Sequence, residues 1–151
     1  MHGMRHFTRS ALVAATPEKL FALINDVERY PEFVPWCVGS TVLSRSPTEV
    51  VAALEVKRSL LRTRFTTRNT LVEPDSVTMA LVDGPFRSLE GRWVITPISD
   101  AAGAALGSRV TLEMRFEING FAAAVMEPVF EETVASLVEA FVARARASQA
   151  G

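Results

Sequence analysis

Histidine and cysteine are almost missing from this chain, and with them goes much of the common catalytic and metal-binding chemistry. The two histidines stand at positions 2 and 6, and Cys37 is the only cysteine. A single thiol excludes an internal disulfide and a cysteine-based zinc site, and it fits a reducing cytosol. With no histidine near the centre of the chain, Ser-His-Asp or Cys-His catalysis and histidine-bearing metal clusters have no material. The expectation is no catalytic residue, no metal ligand and no cofactor. Long apolar runs are missing too. The run near the N-terminus, Ala11 to Ala15, is too short for a signal-peptide core. No stretch approaches the ~18 residues of a membrane span. Charge of one sign is also lacking. Sixteen Lys and Arg against seventeen Asp and Glu leave a net −1, so no global field draws the chain to nucleic acid.

What is present reads as one domain over residues 1–151. At 151 residues, 48% of them hydrophobic and 22% charged, the chain can bury a real core and is not disordered. Met1 to Gly3 add to no pattern, so Met4 reads as an alternative start and residues 1–4 as disordered. The stretch from Phe121 to about Arg146 has helical spacing, with Met126, Phe130, Val134, Leu137, Val138, Phe141 and Ala145 on one face. Glu132, Ser136, Glu139 and Arg146 fall on or near the other side. Pro128 predicts a kink or restart near Glu127.

Most of the remainder reads as strand. A first strand covers Phe7 to Ala14. Thr16-Pro17-Glu18 opens a short helix ending near Asn25-Asp26. Asp26 is then placed to cap a second short helix through Tyr30. Pro31 and Pro35 predict an extended or turning path through Glu32, Phe33 and Val34 to Trp36, with the aromatics plugging one end of a sheet. Further strands follow at Val38–Ser44, at Val50–Val56, at Arg64–Val72 and from Val77 to Leu81. Glu73-Pro74-Asp75 and Asp83-Gly84-Pro85 are turns. Leu89, Gly91, Trp93 and Ile95 share a face. The cleanest alternation sets Val110, Leu112, Met114, Phe116 and Ile118 against Arg109, Thr111, Glu113, Arg115 and Glu117, the pattern of a sheet with one wet face. The fold class is α+β: a curved antiparallel sheet wrapped around a long C-terminal helix, with two short helices after the first strand.

Asp26-Val27-Glu28-Arg29-Tyr30-Pro31-Glu32-Phe33-Val34-Pro35-Trp36-Cys37 resembles the signature of the coenzyme Q-binding and ribosome association toxin family, a branch of the START-like, helix-grip superfamily that also holds polyketide cyclases. Phe65-Thr66-Thr67-Arg68-Asn69, Leu81-Val82-Asp83-Gly84-Pro85-Phe86 and Pro128-Val129-Phe130 extend the match over nearly the whole chain. The resemblance implies about seven strands gripping the last helix, with an apolar tunnel between them. It implies a non-catalytic carrier of an isoprenoid quinone, coenzyme Q or a similar lipid, that supports respiration. The other face of the family implies a toxin of a toxin–antitoxin system, binding the large ribosomal subunit and blocking subunit joining. A cyclase-like enzyme is a weaker third reading. The implied location is cytoplasmic, with transient contact at the inner membrane surface, and the implied assembly is a monomer or weak homodimer.

Candidate tunnel residues are Phe65, Met79, Leu81, Trp93, Met114 and Phe116 on the sheet, facing Met126, Phe130, Val134 and Leu137 on the helix. Phe33, Trp36 and Phe86 would form the mouth. Ordinary core is the plain alternative for such stripes. Arg68 and Asn69 are candidates for a quinone oxygen, although strand neighbours point oppositely and only one would look inward. Lys57, Arg58, Arg62 and Arg64, with Arg68, place five cations in twelve residues without an acid. They fit either a solvated sheet edge or contact with ribosomal RNA or anionic lipid headgroups. Asp26, Glu28 and Glu32 are weighed as an acid–base set and read as capping and solvating residues. Cys37 reads as a small buried apolar residue.

Overall fold

The computed structural model describes residues 4–120 and 123–150; the expected lead-in at residues 1–3 and the helix start at Phe121 lie outside the described residues. Strand β1 (Arg5–Val13) is followed by α1 (Pro17–Asn25), a 3₁₀ turn (Val27–Arg29) and α2 (Tyr30–Phe33). Six strands come next: β2 (Cys37–Arg45), β3 (Glu49–Arg58), β4 (Leu61–Val72), β5 (Ser76–Asp83), β6 (Phe86–Ser99) and β7 (Ala105–Ile118). Helices α3 (Ala123–Ala135) and α4 (Leu137–Ala150) close the chain. The seven strands form one antiparallel sheet in the order β1-β7-β6-β5-β4-β3-β2. Register shifts in β2, in β4 at Thr66/Thr67 and in β6 interrupt the ladder. Such shifts bend and twist a strand locally, which suits a sheet that must curl around helices.

The inward stripes are the predicted ones on β6 and β7. Leu89, Trp93 and Ile95 are buried beside Val110, Leu112, Met114 and Phe116, and Phe130, Val134 and Phe141 of the last helices are buried in the same core. Thr16 caps α1 by accepting from the Lys19 amide at 3.2 Å, with Pro17 at the first position, as the sequence predicts.

Three local expectations are corrected. Asp26 caps nothing with its side chain; it pairs with Arg29 at 3.1 Å. Glu32 and Phe33 are helical rather than extended, because Pro31 falls at the start of α2, where its missing N–H has no helical partner to lose. The last helix runs through Pro128 and breaks instead at Ser136. There the Ser136 amide is shared between the Glu132 and Thr133 carbonyls at 3.3 and 3.2 Å, and the hydroxyl donates back to the Thr133 carbonyl at 2.6 Å. A serine that bonds back to its own helix loosens and bends it.

Candidate functional site: a small cavity between sheet and helix

Where β3 to β7 curl over the α3–α4 junction they leave a cavity of about 50 Å³. Ala52 and Leu54 come from β3; Phe65, Thr67 and Asn69 from β4; Met79 from β5; Leu89, Gly91 and Trp93 from β6; and Leu112 and Met114 from β7. Val134 and Leu137 close it from the helices, and Val27, Tyr30 and Trp36 from the segment after α1. The lining is apolar apart from one pair. Thr67 Oγ1 donates to Asn69 Oδ1 at 2.7 Å in a buried setting. The Asn69 amide nitrogen then has no acceptor among the described residues. The fully buried unpartnered side-chain atoms among the described residues are Ser40 Oγ, Thr63 Oγ1 and Ser88 Oγ, so the Asn69 nitrogen keeps some accessible surface and is open to an acceptor entering the cavity.

Gly91 makes this space possible. A Cβ at that position would stand 2.8 Å from Met79 Cε and 3.2 Å from Met114 Cε. The two thioether tips therefore lie over the glycine and are the most adaptable part of the wall.

Of the expected tunnel residues, Trp36, Phe65, Met79, Trp93, Met114, Val134 and Leu137 meet at the cavity. Phe86, Phe116 and Phe130 do not line it. They stack edge-on with one another, and Phe86 and Phe130 also stack with Phe65, at centroid distances of 4.9–6.5 Å, closing one end. Beyond that plug, Met126 joins Leu61, Pro85, Phe86, Ile118 and Phe130 around a shallow outer depression of about 160 Å³. Leu81 is half-buried against the core and away from the cavity. Phe33 lies outside it as well, with the Arg144 guanidinium 5.0 Å above its ring. It borders a surface groove of about 560 Å³ with Pro35, Trp36, Lys57, Arg58 and Ser136. Trp36 belongs to both spaces and is the wall between them.

Arg68 is corrected as a cavity residue. It points outward and pairs with Glu49 at 3.3 Å, while Asn69 points in. Thr67 was missed as a site residue because threonine reads as a wet-face residue. Its place in the alternation Phe65, Thr67, Asn69, Leu71 was the available signal. Tyr30 and Leu54 were missed too. The Tyr30 hydroxyl donates to the Ile24 carbonyl, and burial raises its pKa well above the ordinary phenol value. Cys37 is buried, and burial likewise raises its thiol.

The basic residues gather at the β3–β4 hairpin. Lys57 stands opposite Arg62 in register, and Arg58 opposite Leu61. Arg58 turns toward α3, reaching Thr133 at 3.5 Å and Glu132 at 3.9 Å. Among the described residues Lys57, Arg62 and Arg64 have no ion pair; Glu55 lies opposite Arg64 in register without closing one. The acids weighed as catalysts are paired at the surface: Asp26 with Arg29, Glu28 with Arg45 at 2.7 Å and Glu32 with Arg144 at 3.0 Å. No group of three His, Cys, Asp or Glu side chains among the described residues could hold a metal ion. No helix among them is long and apolar enough to cross a membrane.

The family described as polyketide cyclase / dehydrase and lipid transport matches residues 13–142. The chain belongs to this family. Within the polyketide cyclase and lipid transport family it is similar to the "Ribosome association toxin RatA" of Vibrio cholerae, 41% identical over 147 residues, covering 95% of this chain and 96% of that one. It is also similar to the mitochondrial "Coenzyme Q-binding protein COQ10" of Saccharomyces cerevisiae, 30% identical over 149 residues, covering 93% of this chain and 70% of the yeast protein. A START superfamily protein from Mycobacterium smegmatis superposes with a TM-score of 0.77 at 21% identity, over 95% of this chain and 98% of its own. That likeness shows the helix-grip fold. The chain is thus a START-like protein of the branch that carries both the ribosome toxin and the coenzyme Q-binding names.

Proposed function

We propose that this protein is a non-catalytic binder of a hydrophobic ligand that carries a carbonyl oxygen, best matched by the isoprenoid quinone coenzyme Q. The observation that carries the reading is the Asn69 amide nitrogen, which has no acceptor among the described residues and belongs to the lining of an otherwise apolar cavity. A quinone oxygen is the acceptor such a donor lacks, and the surrounding apolar wall suits ring and tail. The cavity of about 50 Å³ is far below the ~300–1,000 Å³ of occupied ligand pockets. Loading therefore has to move the wall, and the Met79 and Met114 tips and the Trp36 partition are the parts able to move. The test is organic extraction and mass spectrometry of protein purified from a quinone-producing host, against a blank purification. A near-stoichiometric quinone supports the reading; a folded protein that stays empty when offered quinone in detergent overturns it.

A second reading, association with the large ribosomal subunit, is favoured by a separate observation. Lys57 and Arg62 face each other with no acid between them. Like charges directly opposite are destabilising in a sheet, and an anionic partner relieves them. Similarity over nearly the full length to the Vibrio toxin points the same way. Cosedimentation with large subunits tests it: Arg62→Glu with Arg64→Glu should abolish a salt-sensitive association, and association that survives both changes sinks it.

A further inference from the structure

The tip of the β3–β4 hairpin combines free cations with an apolar residue held fully in solvent. Leu60 is 91% exposed, at a turn where Ser59 takes a positive φ of 55°. Its chain neighbour Leu61 is buried, so of two adjacent leucines the turn leaves one in solvent. Lys57, Arg62 and Arg64 stand behind Leu60 on the two strands. Two openings flank this hairpin. Lys57 and Arg58 border the groove whose inner wall is Trp36, and Leu61 and Arg62 border the depression floored by Phe86 and Phe130. Val125, at the start of α3 beside Met126, is a second exposed apolar side chain, at 68%.

From these features we infer that the β3–β4 hairpin seats the protein on an anionic phospholipid bilayer, with Leu60 entering the acyl boundary and Lys57, Arg62 and Arg64 at the phosphates. This rests on the hydrophobic-ligand reading and places both openings against the phase in which such a ligand dissolves. Phosphate attraction alone would fit RNA equally well. Leu60 decides between them, because an aliphatic side chain gains from hydrocarbon and has nothing to stack on in RNA. The hairpin offers no exposed aromatic for a base, since Phe65 is buried. Each cation near an anionic surface strengthens binding by about fivefold, and an inserted leucine adds roughly tenfold or more.

The experiment is vesicle flotation of the intact chain with phosphatidylcholine alone and with equal parts phosphatidylcholine and phosphatidylglycerol. The expected result is flotation with the anionic vesicles only, weakened in about 1 M NaCl, where the Debye length is ~3 Å. Leu60→Ser should weaken it roughly tenfold. Arg62→Glu with Arg64→Glu should weaken it by ~25-fold or more. All three changes are at exposed positions, and unaltered melting curves confirm folding. Failure to float, equal flotation with neutral vesicles, or indifference to Leu60→Ser overturns the inference. Capture by ribosomal RNA that needs Arg62 and Arg64 but not Leu60, with vesicles ignored, reassigns the surface to nucleic acid. Quinone content of the same preparation separates the two claims: loaded protein that ignores vesicles ends the docking inference alone, and empty protein that floats ends the ligand reading alone.

Discussion

Trp36 donates its indole N–H to Ser136 Oγ at 2.8 Å, across a hundred residues of sequence, at the point where the C-terminal helix is interrupted. The same hydroxyl donates to the Thr133 carbonyl. One serine thereby ties the wall of the cavity to the break in the helix that covers it, so wall and helix should move together.

Removing that hydroxyl leaves the indole N–H of a buried tryptophan without its partner. Ser136→Ala should lower stability by about 1–2 kcal/mol, despite alanine's better helix propensity. The readout is a lower urea midpoint at unchanged slope, with a red-shifted tryptophan emission as the indole seeks water. Equal or higher stability with unshifted emission would show that the contact does not hold Trp36 in place.

The polar pair in the cavity predicts an inverse relation between stability and binding. Thr67→Val with Asn69→Leu removes both partners at once and leaves no orphan, so stability should stay level or rise. Quinone content should fall at least tenfold. A clear loss of stability would mean that the pair supports the fold rather than awaiting a ligand.

Gly91→Ala tests the adaptable wall. Its new Cβ presses on the far ends of two flexible side chains, so the change in stability should stay within about 1–3 kcal/mol. The methionine tips would be driven into the cavity, and quinone extracted per mole of protein should drop. Unchanged loading would place the ligand elsewhere.

Stability should decline in alkali. Tyr30 and Cys37 both have raised pKa values in the fold, through burial first. Above the ordinary values of 9.0 for the thiol and 10.0 for the phenol, the unfolded chain holds fewer protons than the folded one. Stability therefore falls as pH rises through that window, and both groups contribute nothing below it. Urea midpoints between pH 7 and pH 11 check this, and Cys37→Ala should move the onset upward. A flat profile to pH 11 would contradict the burial of Tyr30.

The parts of this fold that were legible in the sequence are those decided by neighbours along the chain. On β7 the alternation from Val110 to Ile118 is visible because its other face is wet. On α1 the Thr16-Pro17 start needs only local bonds. The break at Ser136 was not legible, because its partner Trp36 lies in the distant turn between α2 and β2 and proline at 128 was the louder local signal. Pro128 removes one bond early in α3, and the helix continues. On β4 the inward face follows from Phe65 and Leu71, which places Asn69 inside and Arg68 outside. Thr67 was passed over because a hydroxyl is at home on either face, and its role depends on the amide two residues on. Six of the cavity-lining residues follow from hydrophobic stripes that also carry Phe116 and Phe130, while Trp36 and Phe86, expected together at a mouth, part into wall and plug. Only three-dimensional packing separates a wall from a plug.

Trp36 and Trp93 both line the cavity, and they are the two tryptophans of the chain. Titrating the protein with a short-tailed ubiquinone while following tryptophan fluorescence therefore reports on the cavity itself. The account predicts saturable quenching at one quinone per chain that is lost in the Thr67→Val, Asn69→Leu variant. Quenching that rises linearly without saturation, alike in both proteins, would contradict it.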